Sequence, residues 1–371
     1  MIQQSKTEVH AALAGEEAAP PMIRLDGISK TYGDFTALHR TDISVRRGEF
    51  LTLLGPSGSG KSTILNLISG AVAATTGRIS IDGRDVTEVP ARERGIGMVF
   101  QNYALMPHMS VFDNVAYPLK IRGLPKAEIA AKVHDVLARV GLTGFEARKP
   151  RQLSGGQQQR VGIARCIVYS PKIILMDEPL GALDKNMRDQ MQEEIKHLHT
   201  ELGTTIVYVT HDQEEALNLS DTVCLMGTGR VAQIGPPEDL YFAPANMFAA
   251  QFIGESNLFD VAAAGDGLLT AADGTTFRPS AGAAGGSKVL VRPEKLRIVA
   301  EERLPSDRVN TLSGEIDHVS FVGGMTRVTV RTASGASFIA KGISERAVLR
   351  VKPGDRLHVA WDERDVILLN G

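Results

Sequence analysis

The chain has 371 residues, and its 41 Lys and Arg nearly balance its 43 Asp and Glu, which gives a formal net charge of -2. The hydrophobic fraction of 43% and the charged fraction of 23% are ordinary for a globular protein, so disorder throughout the chain is excluded. A protein that binds nucleic acid usually has an excess of basic residues, which is missing here. Two cysteines are too few for a disulfide framework, which favours a reducing compartment.

The N-terminal residues and the apolar segments bear on targeting. Residues 1–21 contain three glutamates and no continuous apolar run, so we expect a flexible tail rather than a signal peptide. The most apolar stretches have the length of strands and fall well short of the ~20 residues that cross a bilayer. We therefore expect a cytosolic chain that reaches a membrane only through a partner.

Short apolar segments alternate with helical patterns over residues 22–256. The predicted strands are Leu51–Leu54, Met98–Phe100, Ile173–Met176 and Ile206–Val209. The predicted helices are Ser62–Ser69, Ala127–Val140, Gly156–Tyr169 and Asn186–Leu202. This alternation predicts an α/β domain with a mostly parallel sheet that helices cover on both faces.

The helical period fades after residue 256. Short alternating segments follow, separated by Gly-rich turns, and the predicted strands include Lys288–Val291, Thr326–Val330 and Arg356–Trp361. The Ala- and Gly-rich stretch Ala262–Ser287 predicts hairpin turns. We therefore predict a small all-β domain over residues 257–371, after a tail at 1–21 and an α/β domain at 22–256.

A glycine-rich loop follows the predicted strand Leu51–Leu54 of the α/β domain. It fits the P-loop pattern G-x-x-x-x-G-K-[ST] between a strand and a helix, and its residues are Gly55, Pro56, Ser57, Gly58, Ser59, Gly60, Lys61, Ser62 and Thr63. Inward-facing backbone N–H groups and the helix N-terminus attract an anion. Lys61 can reach the outer phosphates of a nucleotide, and the Ser62 hydroxyl can bind Mg²⁺. The loop predicts a P-loop nucleotide site.

Two carboxylates end the strand that begins at Ile173. Ligands of open α/β sheets lie at the carboxyl ends of the strands, so Asp177 is placed to bind Mg²⁺ and Glu178 to orient or deprotonate a water. Between the P-loop and this strand, Leu153–Gln157 opens a helix with Ser154, Gly155 and Gly156, which makes a second anion cradle. One ATP does not need two cradles on one subunit, whereas two facing subunits could each cover the nucleotide of the other.

In these motifs the chain resembles the ATP-binding subunits of ABC transporters. The resemblance covers residues 22–256, and it implies that Ser154, Gly155, Gly156 and Gln157 contact the ATP of a second subunit in a homodimer. It also implies four further roles, in chain order: Tyr32 stacks on adenine, Gln101 touches Mg²⁺ and senses the γ-phosphate, Asp184 in Gly181–Asp184 links the two sites, and His211 contacts the γ-phosphate. The implied ligands are ATP and Mg²⁺, with Ser62, Gln101 and Asp177 at the metal and Glu178 and His211 catalytic.

The segment after Gln101 and the C-terminal region resemble parts of ABC importers. Residues 101–120 mix Met, Phe and Tyr with two prolines. The resemblance implies that two membrane permease subunits dock there, although these side chains could also form a helical core. Phe252–Asn257 and Val291–Glu294 resemble the TOBE domain of importer ATPases, an OB-like β domain. The implied location is the cytoplasmic face of the inner membrane, with an indirect link to a substrate-binding protein.

The transported substrate cannot be derived from these residues. The run Gly235–Asn257 resembles spermidine/putrescine importers most, and importers of ferric ion, thiosulfate or sulfate, and phosphonate stay open. A soluble ABC ATPase that acts on nucleic acid or the ribosome is a weaker alternative, because the chain has one cassette and no long heptad run. An oligonucleotide-binding β domain is weaker too, because the aromatic residues of 257–371 are scattered without a basic stripe.

Overall fold

The computed structural model describes residues 20–280, 286–299, 301, 304, 307, 309–343 and 351–369. Most of the predicted tail, residues 1–19, lies outside these ranges. The chain divides into two compact units, Met1–Pro237 and Glu238–Gly371. Within the described ranges, no helix combines the length and the apolar character of a membrane span.

The first unit contains the predicted mixture of strands and helices. Its strands are β1 (Ile23–Tyr32), β2 (Phe35–Val45), β3 (Phe50–Leu54), β4 (Thr76–Ile81), β5 (Arg84–Asp85), β6 (Gly97–Val99), β7 (Ile173–Asp177), β8 (Thr205–Thr210), β9 (Thr222–Gly227) and β10 (Arg230–Gly235). Its α-helices are α1 (Lys61–Ser69), α2 (Val111–Ile121), α3 (Lys126–Arg139), α4 (Gly155–Ile167), α5 (Lys185–Leu202) and α6 (Gln213–Leu219). The four predicted strands and four predicted helices are confirmed, with shifts of one or two residues at their ends.

The main sheet has six strands in the order β10-β9-β3-β8-β7-β6. All pairs are parallel except β9 with β10. Every residue of β3 and β8 is buried, as expected for a parallel sheet that is covered on both faces. One core cluster joins the sheet to α2, α3, α4 and α5, and a second joins it to α1 and to β1, β2 and β4.

Several elements of this unit were not among the predicted strands and helices, notably an antiparallel sheet and helix α2. Strands β1, β2, β4 and β5 form an antiparallel sheet in the order β2-β1-β4-β5. Register shifts interrupt the pairing of β1 with β2 and disturb the two-residue alternation that would reveal them. Helix α2 contains Pro118, a residue that normally argues against a helix interior.

The register of the main sheet brings distant segments to one edge. Leu54 pairs with Thr210 across β3 and β8, and Asp177 pairs with Val209 across β7 and β8. Val99 of β6 pairs with Met176 of β7. The P-loop, Glu178, His211 and Gln101 therefore all leave the sheet at the same carboxyl edge.

In its described residues the second unit consists mainly of β-strands, with two short α-helices and short 3-10 turns, which confirms the predicted fold class. The helices are α7 (Pro237–Phe242) and α8 (Met247–Phe252), and the strands are β11 (Asn257–Gly265), β12 (Leu268–Ala271), β13 (Thr276–Phe277), β14 (Lys288–Val291), β15 (Arg297–Val299), β16 (Thr311–Val322), β17 (Met325–Arg331), β18 (Ser337–Ile343), β19 (Arg356–Ala360) and β20 (Ile367–Leu369). Two antiparallel sheets, β13-β12-β11-β14-β20 and β15-β19-β16-β17-β18, contribute to one core that contains Phe277 and Trp361.

A buried arginine ties the two short helices to this β unit. Arg292 is 1% exposed. Its guanidinium donates to the carbonyl oxygens of Tyr241, Ala250 and Glu255 and to Ser256 Oγ at 2.7–3.2 Å. The division after Pro237 lies at the start of α7, whereas the sequence-based boundary after residue 256 follows both helices. That boundary, and with it the three-part division, stays a prediction.

Candidate functional site

The P-loop is held close to its neighbours by glycines. A Cβ on Gly55 would lie 2.3 Å from the carbonyl oxygen of Met226, and a Cβ on Gly60 would lie 2.9 Å from that of Ala37. Gly60 also has φ 98° at the N-cap of α1, a conformation that favours glycine. As a glycine it has no side chain to bond the first-turn N–H groups, so these amides suit an external anion.

Lys61 is the first residue of α1 and is buried. Its Nζ donates to the carbonyl oxygens of Gly55 at 2.8 Å and Pro56 at 2.9 Å, so the ammonium group lies against the loop backbone. Burial lowers the pKa of Lys61, while Glu178 and Asp177 act in the opposite direction. A phosphate in the loop would therefore meet a cation that is already close to it.

Asp177 and Ser62 meet at the edge of the sheet. The Ser62 hydroxyl donates to Asp177 Oδ1 at 3.2 Å. Burial raises the pKa of Asp177, the Ser62 hydrogen bond and Lys61 lower it, and the charge of Glu178 raises it. A partly buried carboxylate beside a hydroxyl is a hard-oxygen donor set of the kind that Mg²⁺ prefers, so the residues fit this ion.

Glu178 lies between two side chains from other loops. Gln101 Nε2 donates to Glu178 Oε2 at 3.3 Å, and His211 Nδ1 lies 3.3 Å from Glu178 Oε1. Glu178 has φ 43°, which is rare for a residue other than glycine. Its N–H donates to Val209 O at 3.0 Å, which holds this backbone conformation. The backbone from which the glutamate side chain extends is therefore fixed, and its carboxylate has two polar neighbours.

Tyr32 ends β1 and is about half exposed. Lys30 Nζ lies 4.7 Å from the centre of its ring and donates to Ala73 O at 2.8 Å. The exposed aromatic face suits a flat heterocycle, as the sequence-based interpretation requires.

Comparisons with known proteins agree with this geometry. The ABC transporter family matches residues 38–181, and the TOBE domain matches residues 289–369. The spermidine/putrescine import ATP-binding protein PotA of Rubrobacter xylanophilus is 43% identical, and the match covers 100% of this chain and 99% of that protein. This chain belongs to the ABC transporter family.

Two further ABC proteins are similar to the chain. The Fe(3+) ions import ATP-binding protein FbpC 1 of Rhizobium meliloti is 41% identical over 95% of this chain and 99% of that protein. An ATP-binding cassette solved as a dimer in a post-hydrolysis state with ADP and Pi is 35% identical, with a TM-score of 0.53 over 58% of this chain and 99% of that chain. The resemblance to ABC importer ATPases with a TOBE domain is thereby confirmed, and the chain is an ABC-type ATPase.

The segment Leu153–Gln157, which resembles the signature sequence of ABC ATPases and is called the signature below, begins α4 and caps it. Ser154 Oγ accepts from the N–H of Gln157 at 3.3 Å, and Gln157 Oε1 accepts from the N–H of Ser154 at 3.0 Å. No hydrogen bond or ion pair in the described part of the chain joins this segment to the P-loop. A Cβ on Gly156 would instead lie 2.5 Å from Met187 Sδ, in α5. The structure thus brings the P-loop, Asp177, Gln101, Glu178 and His211 together and leaves the signature residues apart from them.

Asp184 has a structural use within its own chain. Its Oδ1 accepts from the N–H of Met187 at 3.0 Å, and it is the N-cap of α5. The loop that ends at Asp184 begins at the carboxyl edge of the main sheet, where Gly181 N–H donates to Glu178 O at 3.3 Å. The predicted role of Asp184 at a nucleotide stays a prediction.

Sequence reasoning missed an arginine that fixes the segment after Gln101. Tyr103 and Ala104 have φ 59° and 46°. Arg165 of α4 donates to both of their carbonyl oxygens at 2.7 Å. The visible signal was an arginine within the apolar stretch of α4, which needs partners when partly buried, although nothing in the sequence says which partners.

Proposed function

We propose that the chain hydrolyses ATP to energise the import of polyamines such as spermidine and putrescine. The observation that carries this proposal is the similarity to the PotA protein, which spans both domains and almost all of each chain. Import of ferric ion is the second candidate, because the FbpC relative is nearly as similar over nearly the same length. The chain does not contact the cargo in either proposal, so the two differ only in the permease that it serves.

The proposed nucleotide site uses the carboxyl edge of the main sheet. Tyr32 stacks on adenine, while the P-loop amides and Lys61 bind the phosphates. Ser62, Asp177 and Gln101 would hold Mg²⁺, which when bound would neutralise charge on the phosphate groups. The donor oxygens of Ser62 and Asp177, 3.2 Å apart, support this assignment.

Glu178 is the proposed general base. It orients a water for attack on the γ-phosphorus and accepts a proton from that water, while the bond to the bridging β–γ oxygen breaks and ADP leaves. His211 and Gln101, which both contact Glu178, are placed to contact the γ-phosphate. The fixed backbone of Glu178 supports this role, because a base must be held in place before the reaction.

Two copies of the chain form the proposed catalytic dimer. Ser154, Gly155, Gly156 and Gln157 of each copy contact the nucleotide of the other, and Asp184 links the two sites. The separation of the signature from the P-loop within one chain supports the arrangement, as does the dimeric state of the related ATP-binding cassette.

The proposed permease contact lies at residues 101–120 on the cytoplasmic face of the inner membrane. The apolar side of α2 is only partly used for the core, since Val115 and Leu119 are buried whereas Tyr117 is 38% exposed. This division supports both interpretations of the segment, a helical core on one face and a docking surface on the other. A substrate-binding protein would act through the permease, and we propose no nucleic-acid partner.

Uptake measurements in the source organism test the cargo. Replacing the gene with a Lys61→Ala version should abolish uptake of radiolabelled spermidine and leave uptake of radiolabelled ferric ion at the parental level. Loss of ferric ion uptake with normal spermidine uptake would replace the first candidate with the second. Normal uptake of both would refute both.

A further inference from the structure

Arg188 joins the two loops that carry the proposed catalytic side chains. It lies in the first turn of α5. Its Nη2 donates to the carbonyl oxygen of Leu183 at 3.2 Å, and its Nη1 donates to Asp212 Oδ2 at 3.0 Å. Leu183 belongs to the loop that follows Glu178, and Asp212 directly follows His211. One planar guanidinium therefore spans both loops, which a single point charge would do less well.

Asp212 passes this contact to the backbone around His211. Its Oδ1 accepts from the N–H groups of Glu214 at 2.8 Å and Glu215 at 3.3 Å, which leaves Oδ2 for the arginine. The Asp212 N–H donates to Thr210 Oγ1 at 3.0 Å. Hydrogen bonds therefore fix the residues on both sides of His211, and they restrict the position of its imidazole.

A buried carboxylate lies behind the same arginine. Glu215 is 3% exposed, and its Oε2 accepts from Tyr208 Oη at 2.8 Å and from Thr210 Oγ1 at 2.7 Å. Arg188 Nε lies 3.8 Å from Glu215 Oε1. Arg188 therefore faces two carboxylates at once, and its removal would leave Asp212 and Glu215 without this cation.

We propose that Arg188 is a positioning residue for ATP hydrolysis, which keeps the loop after Glu178 and the loop of His211 in a fixed relation. It touches neither the reacting atoms nor the P-loop, so it acts on the contact between His211 and Glu178 through Leu183 and Asp212. The inference rests on the proposed roles of Glu178 and His211.

Steady-state kinetics of the full-length chain test the inference. Arg188→Met should lower kcat for ATP hydrolysis by about 10- to 100-fold, because small misplacements of catalytic groups cost rates of this size. KM and the equilibrium affinity for an ATP analogue should change by less than about threefold, because Tyr32 and Lys61 are untouched. Arg188→Lys should recover part of kcat, since the ammonium can still reach Asp212.

Arg139→Met is the matched control. It also removes an arginine that is paired with α5, since Arg139 Nη1 lies 2.6 Å from Glu201 Oε1, but neither residue belongs to the two loops. Its kcat should stay within about twofold of the parent. A parental kcat in folded Arg188→Met would overturn the inference, as would a rise in KM that accounts for the loss or a lysine variant no better than methionine.

Two further variants cover the other outcomes. If Arg188→Met does not fold, Asp212→Asn replaces it in the test. Asparagine keeps the oxygen that caps α6 but removes the oxygen that accepts from Arg188, so the same loss of kcat is expected. A parental kcat in Asp212→Asn would overturn the inference. Glu178→Gln is measured beside them. Full activity in Glu178→Gln would refute the catalytic assignment itself, whereas an inactive Glu178→Gln with a fully active Arg188→Met would refute only the role of Arg188.

Discussion

His211 Nδ1 and Glu178 Oε1 lie 3.3 Å apart, although 33 positions separate the two residues in the chain. The contact exists because β7 and β8 are parallel neighbours whose register brings Asp177 beside Val209. The carboxylate has a second neighbour, Gln101, at the end of β6. A substitution at Glu178 should therefore alter both the proposed base and the contacts of Glu178 with two neighbouring loops.

Glu178→Gln should separate nucleotide binding from hydrolysis. The substitution keeps the size and one acceptor oxygen but removes the base, so hydrolysis should fall by about 10²–10⁴. ATP binding should persist or tighten, because a negative charge beside the phosphates is lost. We expect an ATP-dependent dimer in size-exclusion chromatography. The exposed Glu193 on α5 provides a control, and Glu193→Gln should hydrolyse ATP normally; parental activity in Glu178→Gln would move the catalytic role to His211.

Lys61→Ala should weaken binding itself. The ammonium group lies against the P-loop backbone, and its loss removes a charge-assisted phosphate contact of about 1.5–3 kcal/mol. Titration with a labelled ATP analogue measures the change. Thermal unfolding without nucleotide should be followed in parallel, because Lys61 also bonds Gly55 and Pro56. Unchanged affinity in a folded variant would contradict the phosphate assignment.

The local parts of this site could be predicted from sequence, because each is defined by adjacent residues. The P-loop and the pair Asp177 and Glu178 need only a strand, a short segment and the start of a helix. The meeting of Gln101, Glu178 and His211 depends on the order and register of strands, which no single segment encodes. Only the family resemblance placed these three residues in one site.

Contacts between distant segments account for most of what was missed. Arg165 bonds the backbone carbonyls of a remote loop, and Arg188 bonds the Asp212 side chain of another. Arginines are too common for such partners to be inferred from spacing. Register shifts concealed β1 and β2, and Pro118 concealed α2. Ser154 and Asp184 are predicted nucleotide contacts, and in this chain their side chains also cap α4 and α5. A Ser, Thr or Asp directly before a helix is a known capping pattern, so the sequence could have revealed this structural role.

The signature can be tested at Gly156 with a matched pair of variants. A Cβ here approaches Met187 Sδ, so Gly156→Ala measures the steric effect of a Cβ at this position. Gly156→Asp adds a negative charge where the partner's γ-phosphate is proposed to lie, and repulsion should block dimer closure. Both variants should bind nucleotide as monomers, and hydrolysis should be far lower in aspartate than in alanine. Loss of nucleotide binding together with hydrolysis in Gly156→Asp alone would indicate that the signature acts within its own chain.

Both cysteines should resist chemical labelling in the folded chain. Cys166 and Cys224 are buried, and burial raises the pKa of each thiol from 9 to about 12. Because the folded state holds these protons more tightly than the unfolded chain, raising the pH from 8 to 10 should not increase labelling by Ellman's reagent. The same reagent should modify two thiols per chain in urea. Rapid labelling of either thiol without denaturant would contradict this burial.

Two truncations distinguish the possible ends of the ATPase unit. A chain that ends at residue 237 should keep a cooperative thermal transition, because the first unit has its own core. A chain that ends at residue 256 retains α7 and α8 but lacks Arg292, which bonds the carbonyl oxygens of both helices, and the strands that cover Ala250.

The two truncated chains should therefore unfold at the same temperature, and limited proteolysis should remove residues 238–256 from the longer one while sparing them in the full-length protein. In the full-length chain, Arg292→Met should weaken only the second unit, by about 1.5–3 kcal/mol, because it removes the guanidinium hydrogen bonds to the carbonyl oxygens of Tyr241, Ala250 and Glu255. The exposed Arg364 is the control, and Arg364→Met should have little effect. If residues 238–256 instead resist proteolysis in the longer truncation and raise its melting temperature, these helices fold with the ATPase unit, and the boundary after residue 256 is the physical one.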